Sequence, residues 1–122
     1  MSISFDTLNS CMWSRDELGR RMKLIEIFLP LTDNSGRKIA KSAFADTRRE
    51  LIERFGGLTA YSRTPARGFL KEKGKTTRDE IVVFEVMVKR IERRWWRDYR
   101  RTLEKRFKQE ELVIRVLDCD TV

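Results

Sequence analysis

The sequence predicts an α+β chain of the ferredoxin-like type: a four-stranded antiparallel sheet with two helices on one face. Three observations carry this expectation. Strand-like and helical stretches follow one another as β-α-β-β-α-β, the split βαβ pattern. The run IVVFEVMV, Ile81–Val88, is the longest near-continuous apolar stretch and is rich in β-branched residues, as a central strand should be. Residues 91–107 form a helix with one apolar and one basic side, suited to covering a sheet. One residue breaks the pattern of the central strand: Glu85, a carboxylate among Ile, Val, Phe and Met.

A chain of 122 residues, 40% apolar and 38% charged, is long enough for one domain with one core. Residues 1–21 show weak periodicity. Ser14, Arg15, Asp16 and Glu17 have the spacing of a capping box, but Gly19 weakens the helix that would follow. The expectation is a weakly ordered extension over 1–21 and a ferredoxin-like domain over 22–122, with Met22 as an alternative translation start. No apolar run approaches the roughly 18–20 residues of a membrane span, and no basic-then-apolar pattern opens the chain. A cytoplasmic protein without a membrane partner is expected.

Within the domain, residues 23–31 (KLIEIFLPL) alternate as a strand. Ile25, Ile27 and Leu29 share one face; Leu24, Glu26 and Phe28 share the other. Asp33, Asn34, Ser35 and Gly36 form a turn cluster. A helix follows over 42–55, with Ser42 as N-cap and a buried stripe of Phe44, Thr47, Leu51, Ile52 and Phe55. Gly56-Gly57 stops it. Residues 58–63 (LTAYSR) make a short strand. Residues 64–80 are a polar hairpin loop with a short strand near 68–71. Gly74-Lys75-Thr76 resembles the end of a phosphate-binding loop, but the glycine spacing fails and no apolar strand precedes it. The last strand is expected over 111–117.

On the second helix, Ile91, Trp95, Trp96, Tyr99, Leu103 and Phe107 fall in one arc, the expected core side. Arg93, Arg94, Arg97, Arg100, Arg101, Lys105 and Lys108 fall in the opposite arc. Ten basic and three acidic residues between Lys89 and Lys108 leave +7 on this segment, almost the whole +8 of the chain. Such an arc either contacts nucleic-acid phosphates or is a solvated face with internal pairs, for which Arg94–Asp98, Arg100–Glu104 and Glu104–Lys108 have the spacing.

With Val82, Phe84 and Val86 facing the helices, the other sheet face carries Ile81, Val83, Glu85 and Met87 beside Leu24, Glu26 and Phe28. Val113, Arg115 and Leu117 join it, as do Thr59, Tyr61 and Arg63. In the strand order 4-1-3-2, Arg115, Glu26, Glu85 and Tyr61 form a row. This face is too apolar to stay wet, and a patch of that kind marks an interface or a ligand site. In one reading it encloses a pocket, as in a dimeric α/β barrel. Glu85 and Glu26 are then the candidate proton carriers, Arg115 the anion holder and Tyr61 a further ligand contact. In the other, Glu26–Arg115 is an ion pair that fixes dimer register.

The chain contains no histidine, which removes Ser-His and Cys-His catalysis. Cys11 and Cys119 lack metal spacing and read as free thiols. No metal and no cofactor are expected.

The stretches 24–31 (LIEIFLPL), 55–61 (FGGLTAY), 65–69 (PARGF), 79–87 (DEIVVFEVM), 95–100 (WWRDYR) and 103–110 (LEKRFKQE) together resemble a family of small uncharacterised bacterial proteins of ferredoxin-like type. Phe69 stands where that pattern leads one to expect Trp. The resemblance implies the fold and a homodimer, and implies no activity. The leading expectation is small-ligand binding or cofactor-free small-molecule chemistry at the open sheet face. The alternatives are nucleic-acid binding through the basic arc, and a scaffold or regulatory subunit without catalysis.

Overall fold

The computed structural model describes residues 21–63, 71–72, 75–76 and 80–122. In chain order the elements are β1 (Arg21–Pro30), α1 (Lys41–Phe55), β2 (Thr59–Arg63), β3 (Lys71–Glu72), β4 (Lys75–Thr76), β5 (Ile81–Val88), α2 (Arg93–Arg106) and β6 (Ile114–Asp120). Four strands build one antiparallel sheet in the order β2-β5-β1-β6, the expected ferredoxin-like order. The two-residue strands β3 and β4 pair separately as a small hairpin.

The alternation of β1 and β5 decides which face the helices cover. Ile25, Ile27 and Leu29 are wholly buried with Phe84 and Val86, under Ala43 and Leu51 of α1 and Trp96, Tyr99 and Leu103 of α2; Phe107 joins them. Aromatic rings bind the two helices together. Phe55 stacks on Trp96 at 5.4 Å and meets Trp95 edge-on at 5.5 Å, while Phe44 meets Phe107 edge-on at 5.0 Å. The Arg54 guanidinium lies 4.2 Å from the Trp95 ring centre and pairs with Glu92 at 2.7 Å, tying the end of α1 to the start of α2.

Three expectations need correction. Ala40, not Ser42, caps α1, and it does so without a side-chain bond. Ile52 is 43% exposed, and Ala43 joins Thr47 and Leu51 in the buried stripe instead. Each helical residue turns about 100°, so Ile52 sits well past Leu51, towards solvent. The last strand lies at Ile114–Asp120, three residues later than expected. Leu112 is drawn into the helix-side core, and its amide donates to Glu104 at 3.1 Å. At the other end β1 starts at Arg21, so Asp118, Cys119 and Asp120 still find partners, and Lys23 forms an ion pair with Asp118.

The turn and helix-end signals match their sequence cues. The Asp33 carboxylate accepts the amides of Arg37 and Ser35, which hold it below its usual range. Gly56 ends α1 at φ 82°. The end of α2 has no glycine: Lys108 takes φ 53° there, with its amide on the Lys105 carbonyl and the Gln109 amide on the Glu104 carbonyl. The capping box at 14–17, Cys11, Gly68, Phe69 and Gly74 lie outside the described residues.

Candidate functional site

The sheet face turned away from the helices is not uniformly open. Met22, Glu26 and Val83 are buried there within a single chain, and Leu24, Phe28, Ile81, Glu85 and Met87 are half-buried. Exposure grows at the β6 margin, where Val113 is 55% and Leu117 41% exposed. The exposed apolar patch expected across this face is therefore limited to that margin.

Strand register brings the two carboxylates together. Glu26 on β1 lies directly opposite Glu85 on β5, and on its other side directly opposite Arg115 on β6. The fourth member of that row is Thr59, because Thr59 is the register partner of Glu85. Tyr61 lies two residues along β2, opposite Val83, and reaches the site diagonally. Its hydroxyl donates to Glu85 Oε2 at 2.7 Å. Arg115 Nη2 donates to Glu26 Oε1 at 3.1 Å, and its guanidinium lies 4.6 Å from the centre of the Phe28 ring. The Glu26 side chain is 10% exposed and that of Arg115 is 51% exposed. The pair is thus buried at one end and open at the other.

All four sequence candidates of this face therefore gather in one polar cluster. Two facing carboxylates repel each other, and each has a donor to offset this. Chemically, the cluster can hold a polar ligand or relay a proton between carboxylate and phenol.

The basic arc of α2 divides into distinct parts. Arg93, Arg97 and Arg100 line a cleft of about 240 Å³ between α2 and β6, with Ile91, Trp96, Ile114 and Val116 as its apolar walls. Arg94, Arg101, Lys105 and Lys108 are exposed. Of the expected pairs, Arg100–Glu104 forms at 3.8 Å, while Asp98 pairs with Arg101 at 3.5 Å rather than with Arg94.

Arg106, absent from the candidate list, joins a different cluster. Its guanidinium grips both Glu50 oxygens at 2.8 Å and donates to Thr47 Oγ1 at 2.9 Å, while the Tyr99 hydroxyl donates to Glu50 at 2.8 Å. The Arg106 bonds hold the Glu50 carboxyl below its usual range; burial, and then Glu50, push the Tyr99 hydroxyl up. Sequence reading placed Tyr99 on the core side of α2. It had no signal that Glu50 would meet it, because that contact depends on how the two helices cross.

Among the described residues no group of His, Cys, Asp and Glu is placed to hold a metal ion, and Cys119 is a free thiol. No described helix is long and apolar enough to cross a membrane.

No protein-family model matches this chain, and no curated protein matches it. Solved structures do. A phage SAM lyase in complex with S-methyl-5'-thioadenosine superposes with a TM-score of 0.57 at 12% identity, over 92% of this chain and 97% of that one. The same kind of enzyme, phage SAM lyase in its apo state, gives 0.51 at 14% identity, over 88% and 96%. A Bacillus cereus protein related to NIF3 gives 0.52 at 15% identity, over 89% of this chain but 28% of that one. At these identities the likeness establishes the α+β fold and nothing beyond it.

Proposed function

We propose that this chain binds a small molecule at the sheet face opposite its helices, with Glu85 as proton carrier and Tyr61 as its hydrogen-bonding partner. The observation that carries this reading is the pair of carboxylates, Glu26 and Glu85, placed face to face in the middle of a sheet. Like charges directly opposite one another destabilise a sheet, so a site that keeps both has a use for them. Glu26 is engaged by Arg115, which makes it the fixed charge of the cluster, and Glu85, which accepts the Tyr61 hydroxyl, is assigned as the proton carrier. Arg115 keeps an exposed side for an anionic group of the ligand. The β6 margin, with Val113 and Leu117, is the surface at which a second copy would complete the site as a homodimer.

The first ligand to try comes from the fold neighbour bound to S-methyl-5'-thioadenosine. Calorimetry with SAM and with S-methyl-5'-thioadenosine is the test, on the wild type and on Glu85→Gln. The expected result is saturable binding of either one, weakened at least tenfold by Glu85→Gln, with the association state unchanged. If Glu85→Gln alters only melting temperature or association, the carboxylate is structural and this reading falls.

A second reading, nucleic-acid binding, is favoured by the exposure of Arg93, Arg94, Arg97, Arg101, Lys105 and Lys108 along one helix. It requires an affinity that falls steeply with salt.

A further inference from the structure

The cleft between α2 and β6 has a composition unlike either surface that borders it. Arg93, Arg97 and Arg100 stand at helical spacing along one side. Ile91 just before the helix, Trp96 of its first turn, and Ile114 and Val116 of β6 close the other with apolar surface. It lies on the helix side of the sheet, away from the Glu26–Glu85 cluster.

Arg100 supplies an independent sign of a missing partner. Its Nε is buried and makes no hydrogen bond among the described residues. The nearest carboxylate oxygen, Glu104 Oε2, stays 3.8 Å away, beyond hydrogen-bond reach. That same oxygen accepts the Leu112 amide at 3.1 Å, which fixes it in place. Buried polar groups in proteins are nearly always bonded, so an unbonded, buried Nε on a side chain that is otherwise 43% exposed and lines the cleft leaves room for an acceptor seated there.

We propose that this cleft binds a small organic anion, with a carboxylate or phosphate head on Arg93, Arg97 and Arg100 and an apolar body against Trp96, Ile114 and Val116. Guanidinium groups suit such heads because they donate in pairs to planar or tetrahedral oxygens. The volume sets the size. About 240 Å³ equals roughly eight water-sized volumes, enough for a six-carbon acid or a single ring. The site lies on the opposite face of the sheet from the carboxylate cluster, so the two can be tested separately.

Hexanoate and phenyl phosphate are the probes, followed by NMR through the Trp96 indole N–H and the Nε–H of Arg97 and Arg100. Both should bind saturably at one site and shift these three signals most. Hexanol lacks the head and inorganic phosphate lacks the body, so each should bind at least tenfold more weakly. Comparing hexanoate with phenyl phosphate tells which head the cleft prefers. The double variant Arg97→Gln, Arg100→Gln should lose at least tenfold in affinity, whereas Glu85→Gln should leave it unchanged. Ile114→Ser tests the apolar wall without touching a charge, and should weaken hexanoate while sparing inorganic phosphate. The proposal is overturned by shifts that do not saturate, by hexanol binding as well as hexanoate, or by inorganic phosphate shifting all exposed arginines alike. It is also overturned if a single-stranded oligonucleotide binds through Arg94, Arg101 and Lys105 and hexanoate does not bind at all.

Discussion

The two faces of the sheet are made from the same strands, one residue apart, and they are organised by different physics. On the helix side Ile25, Ile27, Leu29, Phe84 and Val86 meet two helices in a layer that is apolar except for Thr47 and the Tyr99 hydroxyl. On the other side Glu26, Glu85, Tyr61 and Arg115 replace part of that apolar surface with hydrogen-bonded charge. The first arrangement maximises burial. The second places two acids where repulsion costs stability and uses a phenol and a guanidinium to offset it. Burial alone accounts for the first face, while the second keeps two facing carboxylates that burial alone does not explain.

The widest test of that contrast uses neighbours in sequence. Phe84 and Glu85 are adjacent on β5 and point to opposite faces. Phe84→Ala should destabilise by about 3–5 kcal/mol, as emptied aromatic core sites do. Glu85→Gln keeps an acceptor for Tyr61 and removes one of two facing charges, so its effect on stability should stay within about 1 kcal/mol of zero. Urea unfolding of both variants measures this. Equal costs would break the comparison and make Glu85 a folding residue.

The ion pairs of the two sides sharpen it. Arg106–Glu50 joins the two helices through two bonds, with Thr47 and Tyr99 attached. Arg115–Glu26 has one bond and a half-exposed guanidinium. Arg106→Leu should therefore cost about 2 kcal/mol, and Arg115→Leu at least as much, because it strands the buried Glu26 carboxylate opposite Glu85. The Glu50 carboxyl also gives the first pair a pH signature. Its folded pKa lies below the ordinary 4.5 because Arg106 bonds the charged form. The stability it contributes is therefore present above pH 4.5 and is lost as pH falls below that value towards the folded pKa. Thermal melts of Glu50→Gln should lose part of the fall in melting temperature that the wild type shows below pH 4.5. An unchanged acid limb in that variant would mean that other carboxylates govern it.

Much of this was legible in the sequence. The period-two pattern of residues 23–31 and 81–88 set both strands and assigned Glu26 and Glu85 to one face. The period-3.6 pattern of α2 assigned Trp96, Tyr99, Leu103 and Phe107 to the core. Less legible were features that depend on register or on how helices cross. Tyr61 meets Glu85 diagonally because Thr59 takes the facing position. Residue 106 falls inside the apolar arc of α2, between Trp95 and Tyr99, and only the approach of α1 gives it Glu50 and Thr47. The start of β6 slipped by three residues because the apolar Leu112 looks like strand in sequence and is core in space.

The smallest expected effect lies at the end of α2, where stability and charge meet in one residue. Lys108 occupies the left-handed position that glycine normally fills, at φ 53°. It also adds positive charge at a helix C-terminus, which is favourable by a few tenths of a kcal/mol up to about 1. A single substitution confounds the two. Lys108→Ala removes the charge and keeps the strained backbone, whereas Lys108→Gly removes both. Lys108→Gly should therefore be the more stable of the two by about 1 kcal/mol, read from paired denaturant melts. Both variants remove the same charge from the basic arc, so any salt-dependent binding that uses Lys108 must weaken equally in the two. A stability difference without a binding difference would separate the role of this residue in closing the helix from any role on the basic surface.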